Sequence, residues 1–296
     1  ATLVFNGIVT CEGNFCINSV GSITTNVIPY AEVRLINTYG ETLGITYSDS
    51  DGKFTFVNVS RLGQDANPQI FSFKVILTDN EFLKIMLLDS ELVGGLPGRS
   101  DAWLGIFDKI VYIGQFEVGD SPLPSDSIKF GIDQTNGSSV GSVVLSEMQA
   151  ASVFTLARQT FDYFVSELDQ SNVQNYPQLR YWFNYSYSGT TSGYFTPWGD
   201  NNAECWETDI YRQGCHIVIY QRALPGGEVG YSWKDTVIHE TIHALHYANG
   251  GTSDSSIWFI ESMAIFFTEA IEYELGHVEG SSPYSYATGV TSSYGC

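Results

Sequence analysis

A short stretch of the sequence carries two histidines and a glutamate at the spacing of a metal site, His239-Glu240-Thr241-Ile242-His243. On an α-helix, residues four apart lie one turn apart and differ by about 40° around the axis, so both imidazoles can reach one ion. The glutamate lies about 80° from their mean direction, beside the open side of that ion. Only about 0.005 chance occurrences of this pattern are expected at this composition. The spacing therefore predicts a metal-binding helix rather than two core histidines and a solvated glutamate.

A catalytic zinc ion needs a third protein ligand and an open position for water. His246 lies about 4.5 Å further along the helix axis, so we expect it to pack near the site or support a ligand. The extended metzincin pattern fails, because His246 and Asn249 stand where that pattern has glycine and histidine. The remaining candidate is Glu261, whose carboxylate in an apolar run is costly to bury unless a metal pairs with it. The alternative is that Glu261 belongs to an exposed stripe of its helix.

Hydrophobic periodicity predicts the elements that position these residues. Apolar residues at three- and four-residue steps indicate helices over Ser146–Leu168, Trp233–Ala248 and about Ile257–Leu275. A short apolar run, His216–Tyr220, indicates a strand before the histidine-bearing helix.

The first part of the chain has a different pattern. Short runs from Thr2 to about Val118 alternate apolar and polar residues between turn signals, which is typical of an antiparallel β-sandwich. The segment Gly119–Ser125 has the Pro, Ser and Asp content of a linker. We therefore predict an α+β protein of two domains, with a sandwich over residues 1–119, a linker over 120–127 and an α+β domain over 128–296.

Residues 128–280 resemble the gluzincin family of zinc metallopeptidases, through the histidine–glutamate helix and Glu261 on the next helix. The resemblance is specific at these two helices only. It implies a zincin-like fold, zinc as cofactor, His239, His243 and Glu261 as ligands, Glu240 as general base, and a peptide or protein substrate. It also implies that the strand Cys215–Gln221 offers the sheet edge that binds an extended substrate.

The same resemblance leaves the group that stabilises the oxyanion open. Gluzincins place a Tyr or His beyond the third ligand, in a sizeable C-terminal subdomain. The candidates here are His277, Tyr284 and Tyr286, and nothing in the spacing selects among them. Only about twenty residues follow Gly276, so a truncated or repurposed peptidase domain is an open alternative.

Residues 5–60 resemble the carboxypeptidase-regulatory-like and transthyretin-like β-sandwiches of exported proteins. The likeness is carried by Gly7-x-Val9, Val27 to Leu35 and Tyr47 to Phe56. It implies an accessory module that spaces, docks or assembles the catalytic half.

Charge and hydropathy exclude several kinds of partner. The chain has 13 Lys and Arg against 33 Asp and Glu, a net charge of −20, and no basic run. Nucleic-acid binding is disfavoured because it requires Lys and Arg on phosphates. We also predict no membrane span, because no apolar stretch approaches the roughly 18 residues that crossing a bilayer needs.

The cysteines and several weaker signals favour secretion or the cell surface. The first residue is Ala1, as removal of a signal peptide would leave it. Cysteine spacing allows two local disulfides, Cys11–Cys16 and Cys205–Cys215. Three Asn-x-Ser sequons could carry glycans, at Asn58, Asn136 and Asn184.

Two functions of different class remain. The first is an extracellular zinc peptidase, which the intact metal pattern favours. The second is an extracellular structural, adhesive or filament-forming protein that uses a peptidase-like domain as scaffold. The odd Cys296 and the sandwich favour the second, because self-assembly could use either of them.

Overall fold

The computed structural model describes residues 3–12, 16, 25–59, 69–79, 82–88, 103–106, 108–116, 126–131, 142–167, 179–184, 193–196, 215–220, 233–248 and 257–275. In these residues the chain is mixed α+β, as predicted. The strands are β1 (Leu3–Glu12), β2 (Thr25–Val27), β3 (Glu32–Asn37), β4 (Thr42–Tyr47), β5 (Lys53–Val59), β6 (Gln69–Ile76), β7 (Leu83–Leu88), β8 (Trp103–Ile106), β9 (Asp108–Phe116), β10 (Asp126–Gly131), β11 (Leu179–Asn184), β12 (Gly193–Thr196) and β13 (Cys215–Tyr220). The helices are α1 (Ser142–Glu167), α2 (Trp233–Ala248) and α3 (Ile257–Glu274).

The chain divides into two compact units, each assembled from more than one segment. The first contains Ala1–Leu87 and Leu104–Thr155, and the second contains Leu88–Trp103 and Leu156–Cys296. The division falls within α1, between Thr155 and Leu156.

The first unit is built on two groups of paired strands. One sheet is antiparallel and has the order β4-β3-β6-β9. In the other, β1 pairs with β2 and β5 in antiparallel fashion and with β10 in parallel. Phenylalanine rings of β1 and β5 meet those of β6, with centroids 5.3 Å apart for Phe5 and Phe71 and 4.9 Å apart for Phe54 and Phe73. These rings are buried and form the core of the unit.

This division differs from the predicted linker at 120–127 and second domain from 128. Asp126 and Ser127 begin β10, which pairs with β1 through residues 126–131. Ile128 and Phe130 are fully buried there. The local composition of residues 120–127 could not show that β10 pairs with β1, because the two strands are far apart in sequence. Their pairing depends on the core that the sheet covers.

A disulfide and a tight turn fix parts of the first unit. Cys11 and Cys16, the first predicted pair, form a disulfide with Cα atoms 5.8 Å apart. At the turn between β4 and β5, the side chain of Asp49 accepts hydrogen bonds from the backbone N–H groups of Asp51 and Lys53. Gly52 has φ +73° there, and a Cβ atom would lie 2.7 Å from the carbonyl oxygen of Val9.

The second unit places a small sheet beside two helices. Three strands of its sheet are adjacent in the order β12-β13-β11, with β11 parallel and β12 antiparallel to β13. Helix α2 packs against α3, β12 and β13. The three predicted helices are confirmed to within a few residues at each end. Among the described residues, no helix is both long and apolar enough to cross a bilayer.

Candidate metal centre and cavity

Helix α2 holds the two histidines of the motif side by side. His239 and His243 lie one turn apart, with Nε2 atoms 2.9 Å from each other and ring planes almost perpendicular. Val237 and Ile238, which point away from this pair on the helix, are both buried in the core. The two imidazoles therefore converge on a single point, as the spacing predicts.

Glu261 of α3 completes the cluster from across the helix contact. Its Oε2 atom lies 3.2 Å from His239 Nε2, and its Oε1 atom lies 3.5 Å from His243 Nε2. Two donors at about 2.0–2.1 Å from one tetrahedral zinc ion are about 3.3 Å apart, so these separations fit a shared ion. Within the described residues, this is the one group of three His, Cys, Asp or Glu side chains close enough to hold a metal.

Glu261 is less buried than the sequence argument for it as a metal ligand assumed. Its side chain is 46% exposed, so burial in an apolar run does not force a partner on it. Among the apolar residues near it in sequence, Trp258 is 81% exposed and Phe259 is exposed too, whereas Ala264 is buried. Burial therefore does not select Glu261, and it is proximity to the histidines that makes Glu261 a ligand candidate.

Glu240 lies at the wall of the same site and is well protected from solvent. It is only 9% exposed, and the backbone N–H of Phe195 donates a hydrogen bond to its carboxylate. Burial raises the pKa of Glu240 to about 8, while the hydrogen bond from Phe195 opposes that rise. Burial also lowers the pKa of both His239 and His243, which favours the neutral imidazoles that bind metals.

A buried contact anchors α2 to the sheet behind the site. The Tyr181 hydroxyl of β11 lies 2.8 Å from the Thr241 hydroxyl, and Thr241 donates to the Val237 carbonyl at 2.6 Å. Both side chains are fully buried. Because Thr241 stands between Glu240 and His243, this contact fixes the rotation of the helix that presents them.

A cavity of about 440 Å³ opens over these residues. Its wall contains the metal cluster and Glu240, together with residues that the sequence analysis did not assign to one site. His246, which the sequence predicts to pack near the site or support a ligand, also lines the cavity. The remaining wall residues are Gly193, Tyr194, Phe195, Tyr247 and Ile260. The helical positions could be inferred from their neighbours on α2 and α3, but no local signal points to β12.

The sheet edge at the cavity is β12 rather than the strand before α2. The expectation that Cys215–Gln221 supplies the edge is wrong, because β13 has β11 on one side and β12 on the other. Among the described strands of this sheet, β12 is terminal at the site, and three of its residues line the cavity. The prediction failed because β12, which lies between β11 and β13 in the sequence, pairs with the outer side of β13 in the sheet.

Gly193, at the start of β12, packs tightly against neighbouring strand and helix atoms. A Cβ atom there would lie 2.8 Å from the Val218 carbonyl oxygen and 3.0 Å from Thr236 Cγ2. Gly193→Ala is therefore expected to push β12 away from α2 and to lower stability by about 1–3 kcal/mol. Thermal unfolding measures the loss, and zinc content should be unchanged because the ligands lie on α2 and α3. A variant as stable as wild type would contradict this packing.

Several predicted residues lie outside what the structure describes. Asn58 lies in β5, Asn184 in β11 and Cys215 in β13, but their side chains are not among the described ones. The others fall wholly outside the described residues: His277, Tyr284, Tyr286, Cys205, Cys296 and Asn136. The oxyanion group, the second disulfide and the glycans stay predictions.

Comparison with protein-family models and with curated proteins finds no match to this chain.

Proposed function

We propose that the second unit is a zincin-like metallopeptidase domain that hydrolyses peptide bonds with zinc and water. The observation that carries the proposal is the convergence of His239, His243 and Glu261 at one point, with Glu240 beside them in a cavity. Two histidines and one glutamate are the ligand set of several zinc peptidases. Zinc, when bound, supplies a Lewis acid and lowers the pKa of its water.

In this proposal Glu240 is the general base that takes a proton from water and passes it to the leaving amine. Its carboxylate lies in a buried wall of the site, where the Phe195 N–H fixes one oxygen.

The substrate in this proposal is an extended peptide that pairs with β12. An edge strand offers unpaired backbone N–H and C=O groups, and an added strand uses them for binding. Because β12 lies along the cavity wall, a paired peptide would pass over the metal cluster.

We also propose that the first unit is a separate β-sandwich domain and that the protein is secreted or displayed at the cell surface. The contacts of Phe5 and Phe54 with rings of the other sheet support a sandwich. The Cys11–Cys16 disulfide supports an oxidising compartment.

The test of the peptidase proposal is a zinc assay combined with a cleavage assay. Purified wild-type protein is expected to hold about one zinc per chain and to cleave a mixed peptide library with a product pattern readable by mass spectrometry. Protein that holds zinc but cleaves nothing would favour the scaffold function instead. Protein that stays metal-free with zinc in excess would overturn both the metal centre and the activity.

Cysteine parity gives a separate prediction about assembly. If Cys11–Cys16 and Cys205–Cys215 are paired, Cys296 has no partner among the other cysteines of these 296 residues, and we expect it to join another chain in an oxidising compartment. Non-reducing mass spectrometry of native protein should show a disulfide-linked species that reduction converts to monomer. A monomer with an alkylatable Cys296 would argue against covalent assembly and for a simple secreted peptidase.

A further inference from the structure

A second acidic contact joins α2 to α3, away from the cavity. Glu272 of α3 is only 7% exposed, and its carboxyl group is hydrogen-bonded to that of Asp235 on α2. Neither residue belongs to the metal cluster or lines the cavity. The peptidase proposal leaves both without a role.

A hydrogen bond between two carboxyl groups requires one proton, because an ionised carboxylate only accepts. Glu272 is buried whereas Asp235 is only half-buried, so the proton belongs on Glu272, where an ionised carboxylate would cost more. Burial raises the pKa of Glu272, and the hydrogen bond and charge of Asp235 and the charge of Glu269 raise it further. Lys234 is the described cation that opposes this rise.

The pair lies on the same helix faces as the metal cluster. Asp235, His239 and His243 follow one another at four-residue steps, so they share one face of α2. Glu261 and Glu272 are eleven residues apart, about three turns, and differ by only about 20° around α3. Each helix therefore presents a metal ligand and a member of the carboxyl pair from one side.

We propose that the hydrogen-bonded Asp235–Glu272 carboxyl pair is a clasp that sets the rotation of α3 against α2 and so positions Glu261 on the two histidines. The half-exposed Glu261 side chain has little packing of its own to hold it, so its place depends on the helix that carries it. Buried Ala264 and Thr268 continue the same contact between Glu261 and Glu272. The proposal rests on the metal centre of the proposed peptidase, but it concerns residues that do not touch the ion.

The test compares zinc affinity in three full-length variants, by competition with a chromophoric chelator. Glu272→Ala removes the clasp and is expected to weaken zinc binding roughly 10–100-fold, as loss of supporting residues does at other metal sites. Glu272→Gln keeps a donor to Asp235 and is expected to retain wild-type affinity at pH 7. Glu274→Ala is the matched control, because the same change is made at an exposed glutamate of the same helix.

A second measurement uses the proton that the clasp needs. The pKa of Glu272 is raised above its ordinary value of 4.5, so between that pH and its raised pKa the folded chain holds a proton that the unfolded chain has lost. Wild-type stability therefore falls as pH rises through this range, whereas Glu272→Gln has no proton to lose. In metal-free protein, the melting temperature of Glu272→Gln minus that of wild type is expected to increase steadily from pH 5 to pH 9.

The outcomes separate the clasp from the peptidase proposal. Three outcomes would each overturn the clasp alone. Glu272→Ala could bind zinc as tightly as wild type, or Glu272→Gln could bind it as weakly as Glu272→Ala. The third is a difference in melting temperature between Glu272→Gln and wild type that does not change with pH. Absence of zinc binding by wild-type protein would overturn the metal centre, and the clasp with it.

Discussion

His243→Ala is expected to abolish zinc binding. The variant loses one of the two imidazoles whose Nε2 atoms lie 2.9 Å apart, and the remaining His239 and Glu261 offer two donors where a catalytic zinc site has three. Wild-type protein should bind close to one zinc per chain by elemental analysis, and the variant should bind almost none. Zinc should also stabilise only the wild type, by about 2.7 kcal/mol when the free ion is at 100 times its Kd.

His246→Ala provides the matched control for this experiment. It removes an imidazole from the same helix and the same cavity, but His246 is not part of the metal cluster. The control should keep its zinc and its zinc-dependent rise in melting temperature. If His246→Ala lost zinc while His243→Ala kept it, the assignment of ligands would be wrong.

Glu240→Gln is expected to separate zinc binding from hydrolysis. The amide has nearly the shape of the carboxylate and can stay against the Phe195 N–H through its oxygen, but it cannot accept a proton from water. Cleavage should fall about 10²–10⁴-fold, the usual contribution of a general base, with the loss in kcat rather than KM. Zinc content should remain that of the wild type.

Glu274→Gln makes the same change on α3, at an exposed glutamate that lies outside the cavity wall. It should leave kcat unchanged. A Glu240→Gln variant with wild-type kcat would exclude Glu240 as the base, whatever its zinc content.

Features that depend on local residue spacing could be predicted from the sequence alone. The pairing of His239 with His243 follows from the helical repeat alone, and the limits of α2 follow from apolar periodicity. The presence of both helices and strands follows from local hydrophobic patterns in the same sense.

Features that depend on contacts between distant segments are visible only in the folded structure. Glu261 was selected by a burial argument that its half-exposed side chain does not satisfy, and it reaches the histidines only because α3 packs on α2. Three other features also depend on residues far apart in sequence. They are the position of β12 at the cavity, the hydrogen bond from Phe195 to Glu240 and the pairing of β10 with β1. The pairing of Asp235 with Glu272 could not be anticipated, because nothing in the local pattern distinguishes them from ordinary helix-surface acids and only tertiary packing buries Glu272. Periodicity reports which face of a segment is apolar, but which segment covers that face is decided by packing over the whole chain.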